Sequence, residues 1–327
     1  MLENSEAVTT QLIAHLKEMG YPVNDQATGK KRNTFEVLSA ERKEALHKFK
    51  SYLVGLRLSE RTIRTYGTFV RDFLFFTEGT PLAVIGNEAV RTYVERIVAE
   101  RAYSISSHRQ LISAIRHFSF FYPNCSIDPS TLPQPDKSRK LPVVLSQQEI
   151  VDLLRSTTNM KHRAVLGLLY SSGLRVGELL NLRLRDIEID RRQLFVRDGK
   201  GRKDRYIILA EGFIPLLKNY VLSYRPQHYF VEGPKGGPYS ASSIRKFLDR
   251  SRKRARIAKK ITPHTLRHSY ATHLLENGIG IRQIQELLGH ARPETTMIYT
   301  HVARKDLLEI QSPLDKNLRS LSEHGKQ

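Results

Sequence analysis

Apolar residues between positions 39 and 122 recur every three or four residues, which is the spacing of one helix face. Four helices are predicted there, the first over residues 40–54. Ser59 is expected to cap the second helix and Asn87 the third. The apolar stripes of the last three helices are Ile63, Tyr66, Val70, Phe73, Leu74 and Thr77; Val90, Val94, Ile97 and Val98; and Leu111, Ile112, Ile115 and Phe118. This pattern predicts a small all-α domain.

A second pattern begins with Ser146 and Glu149, which have the spacing of a capping box. Helical spacing continues from there to Leu182. Residues 193–197 and 205–209 read instead as two short strands, with the turn GKGRK between them. The predicted fold class is therefore mainly α with a small β component: a four-helix N-terminal domain followed by an α+β domain.

The segment 262–301 is predicted to form three short helices, separated by residues that start or stop helices. The middle helix spans residues 281–288, and the last one is expected to carry Tyr299. The punctuating residues are the cap Thr262 with Pro263 after it, the stops Gly278 and Gly289, and Pro293.

Five prolines between residues 123 and 142 indicate an extended, basic linker. The predicted organisation is an N-terminal extension (1–38), a helical domain (39–125), a linker (126–145), a second domain (146–302) and a tail (303–327). In the tail, Ser312 is expected to cap a short helix whose apolar face is Leu314, Leu318 and Leu321.

The chain carries 53 Lys and Arg against 33 Asp and Glu, a net charge of +20. Such an excess favours a polyanion as the partner. The densest basic run, residues 245–260, is predicted to contact phosphates. The arginines that lie off the helical stripes fit a solvated face and a DNA face equally well; they are Arg57, Arg61, Arg64, Arg109 and Arg116.

The remaining composition narrows the class of protein. The single cysteine, Cys125, excludes an intrachain disulfide and fits a reducing cytoplasm. Neither a membrane span nor a signal peptide is indicated. No Gly-rich nucleotide loop is present, and His264 and His268 lack the glutamate that a zinc motif of this spacing carries. We therefore expect a cytoplasmic protein without a cofactor or metal.

The segment 262–301 combines cationic side chains and histidines with a phenol. His264 and Arg267 are three residues apart on one helix face, and Tyr299 follows His290 by nine residues. A tyrosine with its ordinary pKa near 10 is a poor nucleophile. It becomes effective when cations stabilise the phenolate and arginine forks hold a phosphate diester.

This spacing resembles the tyrosine recombinase family, the integrases of phages and the Xer-type resolvases, whose box reads H-x-x-R, then G-H, then Y. The resemblance adds an arginine in SSGLRVGELLNL and a lysine in DGKGRKDR. It covers the C-terminal half in detail and the N-terminal half in outline. The six matching positions are Arg175, Lys200, His264, Arg267, His290 and Tyr299.

The resemblance implies a site-specific recombinase that cleaves and rejoins double-stranded DNA through a 3′-phosphotyrosyl link to Tyr299. The two arginines would bind the scissile phosphate, and Lys200 would protonate the departing 5′ oxygen. His264 and His290 would donate to the phosphate oxygens or take the phenolic proton. Neither metal nor ATP is then needed. Glu178 is expected to brace its neighbouring arginine, and His268 and His273 stay outside the catalytic set.

The resemblance also implies partners. The four-helix domain would be SAM-like and clasp the duplex, and a homotetramer would exchange strands of two duplexes through a Holliday junction. The tail would dock on a neighbouring subunit or in a groove of its own domain. An accessory factor or a partner recombinase belongs to the same expectation.

Two other functions share parts of this pattern. A type IB topoisomerase-like enzyme would use the same tyrosine chemistry as a monomer, and the tail argues against it. A DNA-binding protein without catalysis would not need all six positions. The six residues fit a recombinase of any biological role, whether integration, excision or dimer resolution.

Overall fold

A computed structural model of the chain describes residues 38–136, 140–197, 204–234, 236–290 and 292–300. The chain divides into two compact units between residues 139 and 140. The prediction of a mainly α chain with a small β component is confirmed. The N-terminal extension up to residue 37, Lys200 and the tail helix lie outside the described residues, and the individual domain boundaries remain predictions.

Four α-helices of the described residues pack around one apolar core in the N-terminal unit. Phe49, Phe73 and Phe118 are fully buried in that core. Ser59 caps the second helix as predicted, because its Oγ accepts a hydrogen bond from the Thr62 N–H at 3.2 Å. The helices are α1 (Ala40–Gly55), α2 (Glu60–Phe76), α3 (Asn87–Arg101) and α4 (Ile105–Phe121).

The predicted cap of α3 is wrong. Asn87 is the first residue of the helix, and Gly86 occupies the N-cap position. The Asn87 amide instead binds the chain after α4: Nδ2 donates to the Asp128 carbonyl at 3.1 Å, and Oδ1 accepts from the Asp128 N–H at 2.9 Å. A side chain committed to a distant backbone segment does not cap its own helix.

Two of the arginines predicted to lie off the helical stripes are structural. Arg109 donates to the carbonyl of Pro135, and Arg116 donates to the carbonyl of Leu132 at 2.7 Å. They hold residues 132–135 against α4, so their charge does not form an open face. Arg57, Arg61 and Arg64 are exposed.

The C-terminal unit is built around a central helix whose residues 164–169 are completely buried. Ser146 and Glu149 form the predicted capping box at the start of this unit. The helices are α5 (Gln147–Arg155), α6 (Met160–Ser172), α7 (Val176–Asn181), α8 (Ile214–Tyr224), α9 (Ala241–Arg254), α10 (Pro263–Glu276), α11 (Ile281–Leu288) and α12 (Glu294–Met297).

A three-stranded antiparallel sheet, in the order β1-β2-β3, packs on this unit. Its strands are β1 (Ile187–Glu188), β2 (Gln193–Val196) and β3 (Arg205–Ile208), and Val196 pairs with Arg205. The predicted hairpin is therefore present. Neither β1 nor α8 was predicted, because β1 is only two residues long and no side chain caps the start of α8.

The three C-terminal helices begin where the sequence predicted. Thr262 accepts from the Thr265 N–H, and Gly289 ends α11 in the left-handed conformation at φ +62°. The position of Tyr299 differs from the prediction. Helix α12 ends at Met297, and Tyr299 lies in the following turn, where its N–H donates to the Thr296 carbonyl at 3.0 Å.

Candidate active site

Helix α10 supplies three side chains of the candidate site from one face. Its first turn is fixed by Thr262 and Thr265, each of which caps the other. His264, Arg267 and His268 are three and four residues apart, so they project on the same side. The local sequence thus brings one guanidinium and two imidazoles to the same side of the helix.

Arg267 is buried and hydrogen-bonded to backbone carbonyls. Its Nη1 donates to the Gly173 carbonyl and its Nη2 to the Leu288 carbonyl, both at 2.6 Å. Burial, followed by the charge of Arg175, lowers the pKa of Arg267 to about 10, so the side chain remains charged at neutral pH. These bonds fix the guanidinium plane before any ligand arrives.

Arg175 lies at the N-cap of α7, where Glu178 braces it as predicted. The Glu178 carboxylate accepts from the Arg175 backbone N–H at 2.9 Å and from its Nη1 at 2.7 Å. The same carboxylate accepts two bonds from Arg205, at 2.9 and 3.1 Å. Burial raises the pKa of Glu178, but the bonds from Arg205 and Arg175 outweigh it and hold the pKa below its usual value.

Tyr299 packs in a small apolar cluster and is only 1% exposed. Its hydroxyl lies 3.1 Å from Nδ1 of His268. Burial raises the pKa of the phenol, while the charges of Arg267 and Arg175 act against that rise. The phenol is therefore protonated at rest, beside the groups that favour its anion. The rest of the cluster is Tyr270, Ala271, Ile284 and Leu288.

His290 directly follows the glycine that ends α11. Its Nδ1 lies 2.9 Å from Oγ1 of the fully buried Thr296. Burial, followed by the charges of Arg267 and Arg175, lowers the pKa of His290 to about 3. The imidazole is therefore neutral at neutral pH, and the contact with Thr296 holds one of its two nitrogens.

Of the two later histidines of α10, His268 lies at the site and His273 lies away from it. His268, which the sequence left out of the catalytic set, touches the phenol of Tyr299; burial, then His264 and Arg267, lower its pKa to about 4. His273 pairs instead with the hydroxyl of Tyr170 at 2.9 Å, so it is a supporting residue. The one signal for His268 was its spacing of four residues from His264.

His264 is exposed, and its ring centroid lies 6.4 Å from that of His268. Desolvation and the charges of Arg267 and Arg175 lower its pKa. The structure thus brings five of the six predicted residues to one region through the contacts around Arg267, and the sixth, Lys200, lies outside the described residues. Arg205 was missed by the sequence, because only the tertiary fold reveals its contact with Glu178.

The described residues contain neither a cluster of metal ligands nor a helix that could span a membrane. No group of three or more His, Cys, Asp or Glu side chains there is arranged to hold a metal ion. None of the helices in the described part of the chain has the length and apolarity that a membrane span requires.

Two families match the sequence, the Phage integrase family over residues 144–306 and the phage integrase N-terminal SAM-like domain over residues 46–128. The tyrosine recombinase XerA of Pyrococcus furiosus is 37% identical over 275 residues, which cover 82% of this chain and 93% of the relative. The chain belongs to the tyrosine recombinase family. XerD of Staphylococcus saprophyticus is 35% identical over 270 residues, with 76% and 90% covered.

Solved structures of tyrosine recombinases share the fold. XerH bound to a palindromic difH substrate matches with a TM-score of 0.67 and 21% identity, covering 91% of this chain and 92% of that one. A lambda integrase dimer bound to a core site matches with a TM-score of 0.64 and 17% identity, covering 77% and 96%. The prediction of a SAM-like N-terminal domain and a recombinase-type catalytic domain is confirmed.

Membership settles the class of reaction. The chain is a tyrosine-type site-specific DNA recombinase, which cleaves and rejoins DNA strands by transesterification. The topoisomerase-like and the non-catalytic alternatives are thereby set aside.

Proposed function

We propose that Tyr299 is the nucleophile of this recombinase and that Arg175 and Arg267 hold the scissile phosphate. The observation that carries the proposal is the contact between the Tyr299 hydroxyl and His268, in the field of the two arginines. A phenol in this setting can lose its proton to a neutral imidazole while cations stabilise the phenolate.

The transesterification balances on side chains of this chain. The bond from Tyr299 Oη to phosphorus forms as the bond from phosphorus to the 5′ oxygen breaks, and the phenolic proton passes to His268. The pKa of that imidazole is about 4 without DNA, and the negative charge of the bound phosphate raises its basicity. The two arginines stabilise the charge on the non-bridging oxygens. Lys200 supplies the proton to the departing 5′ oxygen. No hydrolysis occurs, so the phosphotyrosine keeps the bond energy for rejoining.

The two remaining histidines have different places in the proposal. His264 is exposed beside Arg267, so it is positioned to donate to a phosphate oxygen. His290 is neutral, and Thr296 contacts its Nδ1; in this proposal the Thr296 hydroxyl donates to Nδ1, so that Nε2 carries the proton and can donate to the phosphate. Both roles require only neutral imidazoles, which fits their lowered pKa values.

The attack requires Tyr299 to leave its apolar cluster. Its ring is 1% exposed among apolar neighbours, so the hydroxyl cannot meet a phosphate of DNA while the ring stays there. We propose that DNA binding shifts the turn after α12, which carries Tyr299 and is tied to α12 through its N–H bond to Thr296. The resting pocket then protects the nucleophile until DNA is bound.

The wider assembly belongs to the same proposal. The +20 charge supports binding to DNA, and in this proposal a homotetramer binds two duplexes and exchanges their strands through a Holliday junction. The N-terminal helical unit would clasp each duplex, and the tail after residue 303 would link neighbouring subunits. An accessory factor or partner recombinase, and a location in the cytoplasm, complete the proposal.

The decisive experiment compares Tyr299→Phe with Tyr170→Phe on nicked DNA that traps a covalent adduct. Both substitutions remove a phenol that contacts a histidine, so each should cost a similar stability of about 1 kcal/mol. We expect Tyr299→Phe to abolish the adduct while DNA affinity stays within about threefold, and Tyr170→Phe to form it normally. An adduct of unchanged yield in Tyr299→Phe would remove Tyr299 as the nucleophile.

A further inference from the structure

The backbone carbonyls at the C-terminal end of α11 accept hydrogen bonds from two kinds of donor, backbone N–H groups and arginine side chains. The Gly289 N–H donates to the Glu286 carbonyl at 3.0 Å, and the His290 N–H donates to the Gln285 carbonyl at 3.1 Å. These two bonds form a Schellman motif and satisfy two of the last four carbonyls. The carbonyls that follow are satisfied by side chains from elsewhere in the unit.

Three consecutive carbonyls at this end each accept a bond from a different arginine. The acceptor distances are 3.1, 2.6 and 3.2 Å along the chain. The negative end of the helix dipole thus faces three guanidinium groups. The pairs are Arg205 Nε with Leu287, Arg267 Nη2 with Leu288, and Arg175 Nη2 with Gly289.

The same three arginines meet a second time at one carboxylate. Arg175 and Arg205 each bond both oxygens of Glu178, and Arg267 Nη1 lies 3.9 Å from Oε2. One negative charge and one helix end therefore hold three like charges together. These acceptors offset the mutual repulsion of the three guanidinium groups.

Arg205 differs from the other two in how its nitrogens are used. Its Nη1 and Nη2 form a fork on Glu178, and its Nε donates to the Leu287 carbonyl, so every nitrogen has a protein acceptor. Its side chain is 11% exposed. Arg205 is the first residue of β3, so it joins the sheet to the end of α11 and to the start of α7.

We infer that Arg205 is a positioning residue for strand cleavage, which sets Arg175 against His290 by fixing Glu178 and the end of α11 at once. Arg175 depends on Glu178 and on the Gly289 carbonyl for its orientation, and His290 is the next residue along the chain. Arg205 bonds both Glu178 and the end of α11, so it fixes the position of Arg175 relative to the imidazole of His290. The inference rests on the proposed function.

The glycine before His290 is part of this arrangement. A Cβ at Gly289 would lie 3.0 Å from Cζ, Nε and Nη1 of Arg205, and its φ of +62° disfavours other residues. The G-H pair therefore provides both the left-handed turn and the room for the guanidinium. This contact explains why the position before the imidazole lacks a side chain.

The test uses the full chain and compares Arg205→Ala with Arg197→Ala. Arg197 follows β2 in the same sheet and donates two bonds, at 2.8 and 3.0 Å, to one oxygen of the buried Asp186, so it controls for losing an arginine–carboxylate pair of the sheet. Single-turnover cleavage of nicked DNA is measured at saturating protein, with affinity measured separately. We expect Arg205→Ala to slow cleavage about 100-fold at nearly unchanged affinity, and Arg197→Ala to cleave normally.

A second variant separates the fork from its charge. Arg205→Lys keeps the charge but not the planar fork, so it should recover only part of the cleavage rate. Full recovery by lysine would overturn the role of the fork. An equal loss of rate in Arg197→Ala would also overturn the inference, because the defect would then follow from any weakened sheet.

A pH profile gives a readout that simple loss of stability would not move. Glu178 faces Arg175, Arg205 and Arg267, and the bond from Arg205 is the largest influence that lowers its pKa. Arg205→Ala should therefore move the acidic limb of cleavage to higher pH, and an unshifted limb would contradict the inference. The adduct assay with Tyr299→Phe tests the proposed nucleophile independently of the Arg205 variants. A failure of the proposed function can therefore be told from a failure of this inference.

Discussion

The imidazole of His290 lies nearly parallel to the phenol of Tyr299, with the ring centroids 6.3 Å apart and 16° between the planes. The two residues come from different turns, one after α11 and one after α12. The shared support is Thr296, whose Oγ1 contacts His290 and whose carbonyl accepts from the Tyr299 N–H. A change in the charge of the His290 imidazole therefore changes the electrostatic potential at the neighbouring phenol of Tyr299.

The pH dependence of stability follows from the buried histidines. Burial lowers the pKa of His290 to about 3 and that of His268 to about 4, against about 6.5 in the unfolded chain. Between these pKa values the unfolded state binds more protons than the folded state. The contribution of the two neutral histidines to the free energy of unfolding is therefore fully present above the unfolded pKa, and it is lost as the pH falls toward the folded pKa values. Each histidine contributes at most about 1.4 kcal/mol per pH unit.

Denaturant unfolding of the DNA-free protein across that pH range should show this slope. His290→Asn, which can still bond Thr296, is expected to flatten it, whereas His228→Asn alters an exposed histidine of the same unit and should have little effect. Equal slopes in the wild type and in His290→Asn would show that His290 does not bury a neutral imidazole.

Residues that act within their own helix were predicted from the sequence, whereas residues whose partners lie far along the chain were not. Thr262 and Gly289 act within one turn of their own helix, so their roles could be read from neighbouring residues. Arg205 bonds groups 27 and 82 positions away, and Asn87 bonds a segment 41 residues on. Nothing near these residues in the sequence marks such partners, because only the tertiary fold brings them together.

His268 shows the same limit from another side. Its spacing from His264 placed both on one face of α10, but spacing does not tell which imidazole reaches the phenol. That depends on the turn after α12, which carries Tyr299 back over α10 instead of extending the helix. The prediction that a helix carries Tyr299 was wrong for the same reason.

Lys200→Ala should slow cleavage of ordinary DNA by about 10²–10⁴-fold, the usual contribution of a general acid. The loss should be far smaller on DNA with a 5′-bridging sulfur, since a thiolate leaves without a proton. The two rates are measured on matched nicked substrates. Lys203→Ala, which removes a second lysine from the predicted turn, is the control and should leave both rates close to normal.

An equal loss on both substrates would show that Lys200 does not protonate the leaving group. The lysine would then act on the phosphate alone. The experiment needs no metal, and addition of a chelator to the ordinary substrate is expected to leave the rate unchanged, because guanidinium groups supply the positive charge that a metal ion would otherwise provide.

The exposed face of α9 is predicted to bind the DNA backbone. Arg245 and Arg250 are exposed there, and the charge of Arg245 contributes to the lowered pKa of His264, which places it close to the site. Replacing both by alanine should reduce the slope of log K against log salt by about two. The pair Arg191 and Arg192, exposed and ion-paired beside the sheet, is the matched control.

A slope that is unchanged after loss of Arg245 and Arg250 would remove α9 from the DNA face. Mobility-shift titrations at several salt concentrations give the slope for each variant. The comparison is made at equal net charge, because both double variants lose two arginines, so a general effect of charge would lower the two slopes alike.

Residues 303–327 follow Tyr299 by only a few positions. The predicted helix after Ser312 has an apolar face of Leu314, Leu318 and Leu321 and is too short to be stable alone in water. That face therefore needs a groove, in its own subunit or in a neighbour. Docking on a neighbour would couple assembly to the placement of Tyr299, which must leave its cluster to reach DNA.

Deletion of the residues after Arg304 should leave binding to a single site largely intact and weaken cooperative binding and recombination. Intact and truncated chains mixed at increasing ratios should lose recombination faster than in proportion to the truncated fraction, because one truncated subunit interrupts the assembly. The substitution of Leu318 and Leu321 by serine should reproduce the deletion, since it removes the apolar face alone. A truncated protein that recombines at the normal rate with unchanged cooperativity would show that the tail does not link subunits, and assembly would then depend on contacts made by the two folded units.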